Sequence, residues 1–168
     1  MIQESGGFIR ILMNLHQDSI PGRWPEKTKK LAPHKPLLVM AVLDEFIENP
    51  SRPRAIEPSA QLEARFERYW TKVMGPSSRT TMALPFYHLQ NDGFWTLVSW
   101  QEKATLVEDS IDRMRKSTAA LRELIQCAEI DEALLKFLSD INWARHLRSV
   151  IIAAYFEPEL HARLLMAA

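Results

Sequence analysis

The sequence is poor in the residues that many chemistries require. It holds one cysteine, Cys127, among 168 residues, so an internal disulfide or a cysteine-based metal cluster is excluded, and a reducing cytoplasm is the expected compartment. Glycine is scarce, with five residues against ten prolines, and this argues against low-complexity disorder. No stretch approaches the roughly 18 uninterrupted apolar residues that a membrane span needs. The start, Met-Ile-Gln-Glu-Ser, has no basic segment ahead of an apolar core, so no secretory signal is expected. An excess of charge is also missing: 21 Lys+Arg balance 21 Asp+Glu, and bulk charge neither predicts nor forbids a polyanionic partner.

The usual enzyme signatures are absent as well. There is no Gly-x-Ser-x-Gly elbow, no phosphate loop ending in Gly-Lys-Ser/Thr, and no His-Glu-x-x-His. His16, His34, His88, His146 and His161 are scattered without a short ligand spacing. No pair of acids is placed for general acid–base work. Binding is therefore favoured over catalysis, with no metal or cofactor expected.

What is present suits one domain over residues 1–168, with 46% apolar residues to build a core. Phe8, Ile9, Ile11, Leu12 and Leu15 predict a first amphipathic helix, stopping before Pro21-Gly22. After a basic connector, Pro36 is suited to the first turn of a helix whose run Leu37 to Leu43 is apolar on every face, and so central in the core. Leu62, Phe66, Tyr69, Trp70 and Val73 mark a third helix with Ser59 as its cap. Leu84 to Leu89 and Phe94 to Val98, around Asp92-Gly93, predict a β-hairpin with Phe86, Phe94 and Trp95 in its core. The remainder predicts helices: Leu121, Leu124, Ile125 and Ala128 on one face, Leu134, Leu135 and Leu138 on a second, Trp143 to Ala154 on a third. The expected class is mainly α with a β-hairpin (α+β), in the element order of a winged helix. Charge is uneven along the chain. Residues 21–54 carry seven Lys/Arg and four Asp/Glu, a net of +3, whereas residues 101–168 carry nine and eleven, a net of −2.

Two strings then belong together. Pro33-His34-Lys35-Pro36-Leu37-Leu38 opens the buried helix, and Pro85-Phe86-Tyr87-His88-Leu89-Gln90-Asn91-Asp92-Gly93-Phe94-Trp95 follows about fifty residues later. With the closing Tyr155-Phe156 helix, they resemble the sulfur-binding domain of phosphorothioate-dependent HNH restriction endonucleases, over about residues 8 to 165. That family recognises DNA in which sulfur replaces a non-bridging phosphate oxygen. The resemblance implies a sulfur pocket at Leu84, Pro85 and His88, with His34 and Lys35 on the DNA backbone. Ser78 and Arg79, just before the pocket string, are candidates for a flanking phosphate. Arg113 and Lys116 are candidates for a base or backbone contact from the helical half. The implied partner is phosphorothioate-modified double-stranded DNA, in a type IV restriction system directed against phage. The HNH nuclease module of such enzymes is not visible, so the chain is expected to act beside a fused or associated nuclease, or as a separate reader.

Three rivals stand beside this reading. A winged-helix regulator would read unmodified DNA through Arg65 and Arg68. A metal-dependent nuclease would use His34 and His88. A protein-interaction module would use the aromatic hairpin.

Overall fold

The structure is a computed structural model and describes residues 2–166. Helix α1 (Ile2–Met13) leads through a long connector into α2 (His34–Glu48), which the apolar run Leu37 to Leu43 makes the centre of the core. Leu37, Leu38, Met40 and Ala41 have no exposed surface. Three helices cover α2: α3 (Ala60–Met74), α4 (Ala83–His88) and α8 (Ile141–Tyr155). Helix α3 buries the expected stripe of Leu62, Phe66, Tyr69, Trp70 and Val73, and the Ser59 hydroxyl caps it by accepting the Leu62 N–H at 3.1 Å. Short helices α5 (Ile111–Lys116), α6 (Thr118–Leu124) and α7 (Glu132–Leu138) and the closing α9 (Pro158–Leu165) complete the helical part.

A small antiparallel sheet flanks the helices. Its order is β1 (Ala55–Ile56), β3 (Ile125–Ile130), β2 (Trp95–Ser99), with Ile56 and Leu97 both opposite Ala128. The expected class, mainly α with a small β component, is what the chain adopts. The location of the strands is not as expected.

Leu84 to Leu89 is not a strand. It forms α4 and runs on into a 3₁₀ turn over Leu89–Asp92. Pro85 lies in the first turn of α4, where its missing N–H costs nothing and its fixed φ favours the helix. Gly93, at φ +87°, then releases the chain into β2 instead of turning a hairpin. The aromatic core survives the change. Phe86 packs edge-on against Trp95 with ring centroids 5.0 Å apart, and the Trp95 indole donates to the Phe86 carbonyl at 2.9 Å. The partner of β2 is β3, built from Ile125 to Ile130, a segment expected to continue the Leu121–Leu124 helix. Six residues fit either period, and pairing with β1 and β2 on both sides decides for the strand.

One buried polar network ties the helices together. Arg148 on α8 donates to Asp44 on α2 at 2.8 Å, to the Tyr69 hydroxyl on α3 at 2.6 Å and to the Leu164 carbonyl on α9 at 2.7 Å, while Tyr69 donates to Asp44. Burial pushes the Asp44 carboxyl up against the pull of Tyr69 and Arg148. Removing one partner of such a group strands the other. Arg148→Ala is expected to cost about 3–5 kcal/mol in urea unfolding; a loss below about 1 kcal/mol would mean the network does not hold the helices.

Candidate nucleic-acid interface

A cleft of about 630 Å³ opens where the connector, α2, α4 and α5 meet. Leu84, Pro85 and His88 form the α4 wall. Leu84 and His88 are half-buried and Pro85 is buried, so the proline ring contributes wall and no projecting surface. The first turn of α2 contributes His34 and Lys35, and α5 contributes Arg115. The opposite lip is the segment from His16 to Trp24.

This lip is held in place by hydrogen bonds back to the body. The Gln17 amide donates to the Ala32 carbonyl at 2.8 Å, and the Ala32 N–H donates to the Asp18 carbonyl at 2.9 Å. The His16 N–H donates to Asp92 at 2.8 Å. The Asp18 carboxylate accepts from the Ile20 N–H at 3.1 Å, the Arg23 guanidinium at 2.9 Å and the Trp24 indole at 3.0 Å. These donors, the Trp24 indole first, hold the Asp18 carboxyl below the usual carboxylate range.

Five candidates drawn from two distant strings thus come together: His34, Lys35, Leu84, Pro85 and His88. Their electrostatics differ from a simple cationic grip. His34 packs between Trp24 and Trp70, at centroid distances of 5.3 and 4.5 Å, and shares a hydrogen bond with Thr80 at 3.0 Å. Burial lowers its pKa to about 4, so the ring is neutral near pH 7. His88 is also pushed down, first by burial and then by Arg115 and Lys35. The Lys35 side chain is 9% exposed and its ammonium sits 2.5 Å from Asp92.

The other candidates lie outside the cleft lining. Ser78 accepts the Trp70 indole N–H at 3.3 Å, one side chain removed from His34. Arg79 and Lys116 are exposed, and Arg113 pairs with Glu123 at 3.6 Å. On α5 it is Arg115 that reaches the cleft. A six-residue helix gave no periodicity by which to choose it over its neighbours. Arg23 and Trp24 were also missed, since the basic connector carries no pattern that separates lining residues from solvated ones. The rival reading through Arg65 meets an obstacle, because that side chain is buried and paired with Glu48. Among the described residues, no three His, Cys, Asp or Glu side chains gather to hold a metal ion.

Fold and cleft define a mainly helical binding module whose pocket pairs apolar and neutral walls with cations at its margin. The sequence match is specific. Residues 23–168 match the family described as ScoMcrA-like, DNA sulfur-binding domain, and the chain belongs to that family. In fold it resembles the solved structure of the Type IV phosphorothioation-dependent restriction endonuclease ScoMcrA, at a TM-score of 0.59 and 18% identity, covering 95% of this chain and 32% of that one. The chain therefore spans about a third of the length of that enzyme. No curated protein matches it.

The buried ring of His34 generates a pH dependence of stability. Unfolded, a histidine binds its proton near pH 6.5, whereas folded His34 does so only near pH 4. Between these values the unfolded chain binds more protons, so acidification removes stability. Between pH 7 and 4.5 the wild-type protein should lose about 2–3 kcal/mol more than His34→Gln in urea unfolding. Equal losses in both proteins would show that His34 titrates normally.

Proposed function

We propose that this domain binds phosphorothioate-modified double-stranded DNA, seating the sulfur against Leu84, Pro85 and His88, and does no chemistry of its own. Cleavage would belong to a fused or associated HNH nuclease, in keeping with the restriction endonuclease whose fold it shares. The observation that carries this reading is the meeting of the two motif strings in one cleft.

A phosphorothioate keeps the negative charge of a phosphate, but its sulfur is larger, more polarizable and less strongly hydrated than oxygen. A reader of sulfur needs a wall that offers no hydrogen-bond donor. The Leu84 side chain and the Pro85 ring supply such a wall. Burial and two neighbouring cations push the His88 pKa down, which favours the imidazole with one ring N–H over the doubly donating imidazolium. Burying sulfur there would gain about 1 kcal/mol, as for a methylene. Forcing in an ordinary oxygen, stripped of water and unpaired, would cost roughly 1–3 kcal/mol. The sum of about 2–4 kcal/mol corresponds to a preference of roughly 30- to 1000-fold. Most of it comes from rejecting oxygen.

The backbone charge is met at the margin. Arg115 lines the cleft beside His88, and the first turn of α2 brings the positive end of a 15-residue helix to it. Arg79 is exposed in the loop ahead of α4 and suits a flanking phosphate, with Ser78 behind it. Arg113 and Lys116 lie farther along α5 and suit contacts beyond the modified linkage, to backbone or to a guanine edge. Lys35, paired with Asp92, adds little net charge; it holds the floor of the cleft between α2 and the turn after α4. His34, neutral, offers a ring nitrogen for a hydrogen bond in place of a charge.

One duplex with and without a single sulfur, compared by gel shift, tests this directly. The modified duplex should bind roughly 30- to 1000-fold more tightly, and equal affinity would dispose of the proposal. Pro85→Ser places a hydroxyl where an oxygen could pair, so the preference should shrink by about tenfold, mainly through tighter binding of the ordinary duplex.

A further inference from the structure

We infer that Asp18 limits how tightly this cleft grips any DNA, modified or not, by holding Arg23 in an ion pair that leaves the lip without net positive charge. The inference rests on the reading that the cleft receives the DNA backbone. It starts from an oddity of charge: a cleft fitted to an anion is lined by a carboxylate. The Asp18 side chain is 30% exposed and that of Arg23 55%, so neither is locked away from a ligand. The three donors on Asp18 keep it ionised. Its nearest cation is Arg23, 2.9 Å away, so the guanidinium that could neutralise a phosphate already has a partner. Lys35, neutralised by Asp92 across the same cleft, repeats the arrangement.

Phosphate and phosphorothioate carry the same charge, so a cationic lip would strengthen both and distinguish neither. Its effect would be to keep the domain occupied by ordinary DNA, which outnumbers modified sites. A neutralised lip leaves the apolar wall to decide whether binding happens at all. Asp18 thus sets absolute affinity, while Leu84, Pro85 and His88 set the ratio.

Asp18→Asn is the informative change, since an amide oxygen still accepts from the Trp24 indole while the charge is gone. In fluorescence anisotropy, it should raise affinity for the sulfur-containing and the ordinary duplex alike, by about three- to tenfold each. The salt dependence should steepen by about one counterion as Arg23 becomes free to pair with phosphate. Asp18→Asn/Arg23→Gln should return both affinities to near the wild-type values. Glu159→Gln, an equal change of net charge on the exposed face of α9, should do much less. Affinities that fall or stay unchanged in Asp18→Asn overturn the inference, as does a change confined to one duplex. If that variant does not fold, Arg23→Gln alone decides: the unmasked Asp18 carboxylate should lower both affinities by about three- to tenfold with the salt slope unchanged, whereas unchanged affinities, or a slope shallower by about one counterion, refute the pinned pair. A wild-type protein without sulfur preference would sink the proposed function instead, and the gain of Asp18→Asn on ordinary duplex would still test Asp18.

Discussion

Helix α2 is apolar on every face from Leu37 to Leu43, so it can exist only when surrounded, and α3, α4 and α8 close around it. Its first turn is the exception. His34 and Lys35 are polar and line the cleft, Lys35 buried only because Asp92 pairs with it. The polar end of a buried helix therefore stands beside α4, and the position of Pro85 follows from the same packing. Asp44, three turns further along α2, is fixed by Arg148 and Tyr69, which sets how α3 and α8 lie against the helix. The core and the site are two ends of one element.

That placement also determines the character of the cleft. His34 is packed between two tryptophans, edge-on to Trp24 and tilted on Trp70, and stays neutral, Lys35 is neutralised by Asp92, and Arg23 by Asp18. A surface built for general DNA affinity would leave such cations free, because counterion release supplies most non-specific binding. Here they are tied down next to an apolar wall. On the proposed reading this is consistent with recognition of one soft atom, whose advantage over oxygen is a matter of hydration and cannot be enhanced by more positive charge.

The sequence disclosed α2 and α3 because their patterns admit one solution each: a run apolar all round, and a stripe at helical spacing behind a serine cap. It misled at Leu84 to Leu89, where aromatic and aliphatic residues before Asp-Gly suggested a strand. The proline was the better signal, since a strand must forgo a donor there and a helix start need not. Ile125 to Ile130 was missed for a different reason: its strand character comes from β1 and β2, distant partners that no local period records. For the site, the His-Lys-Pro and Leu-Pro-x-x-His strings meet in one cleft even though the second was assigned the wrong secondary structure. The neutrality of the cleft was hidden, because Lys35 and Asp92 are 57 positions apart and the low pKa of His34 depends on Trp24 and Trp70 folding over it.

Separating the two functions of the cleft explains why it needs both of its walls. On the proposed reading, the α4 side, through Leu84 and Pro85, fixes how much better sulfur binds than oxygen. The lip from His16 to Trp24 carries paired charges, and on the same reading it fixes how much of either is bound at a given concentration of DNA. Changes on α4 alter the ratio at the cost of recognising the wrong atom. Changes on the lip move both affinities together. A reader of a rare mark needs the second control as much as the first, because a high ratio has no consequence when the ordinary duplex already saturates the protein.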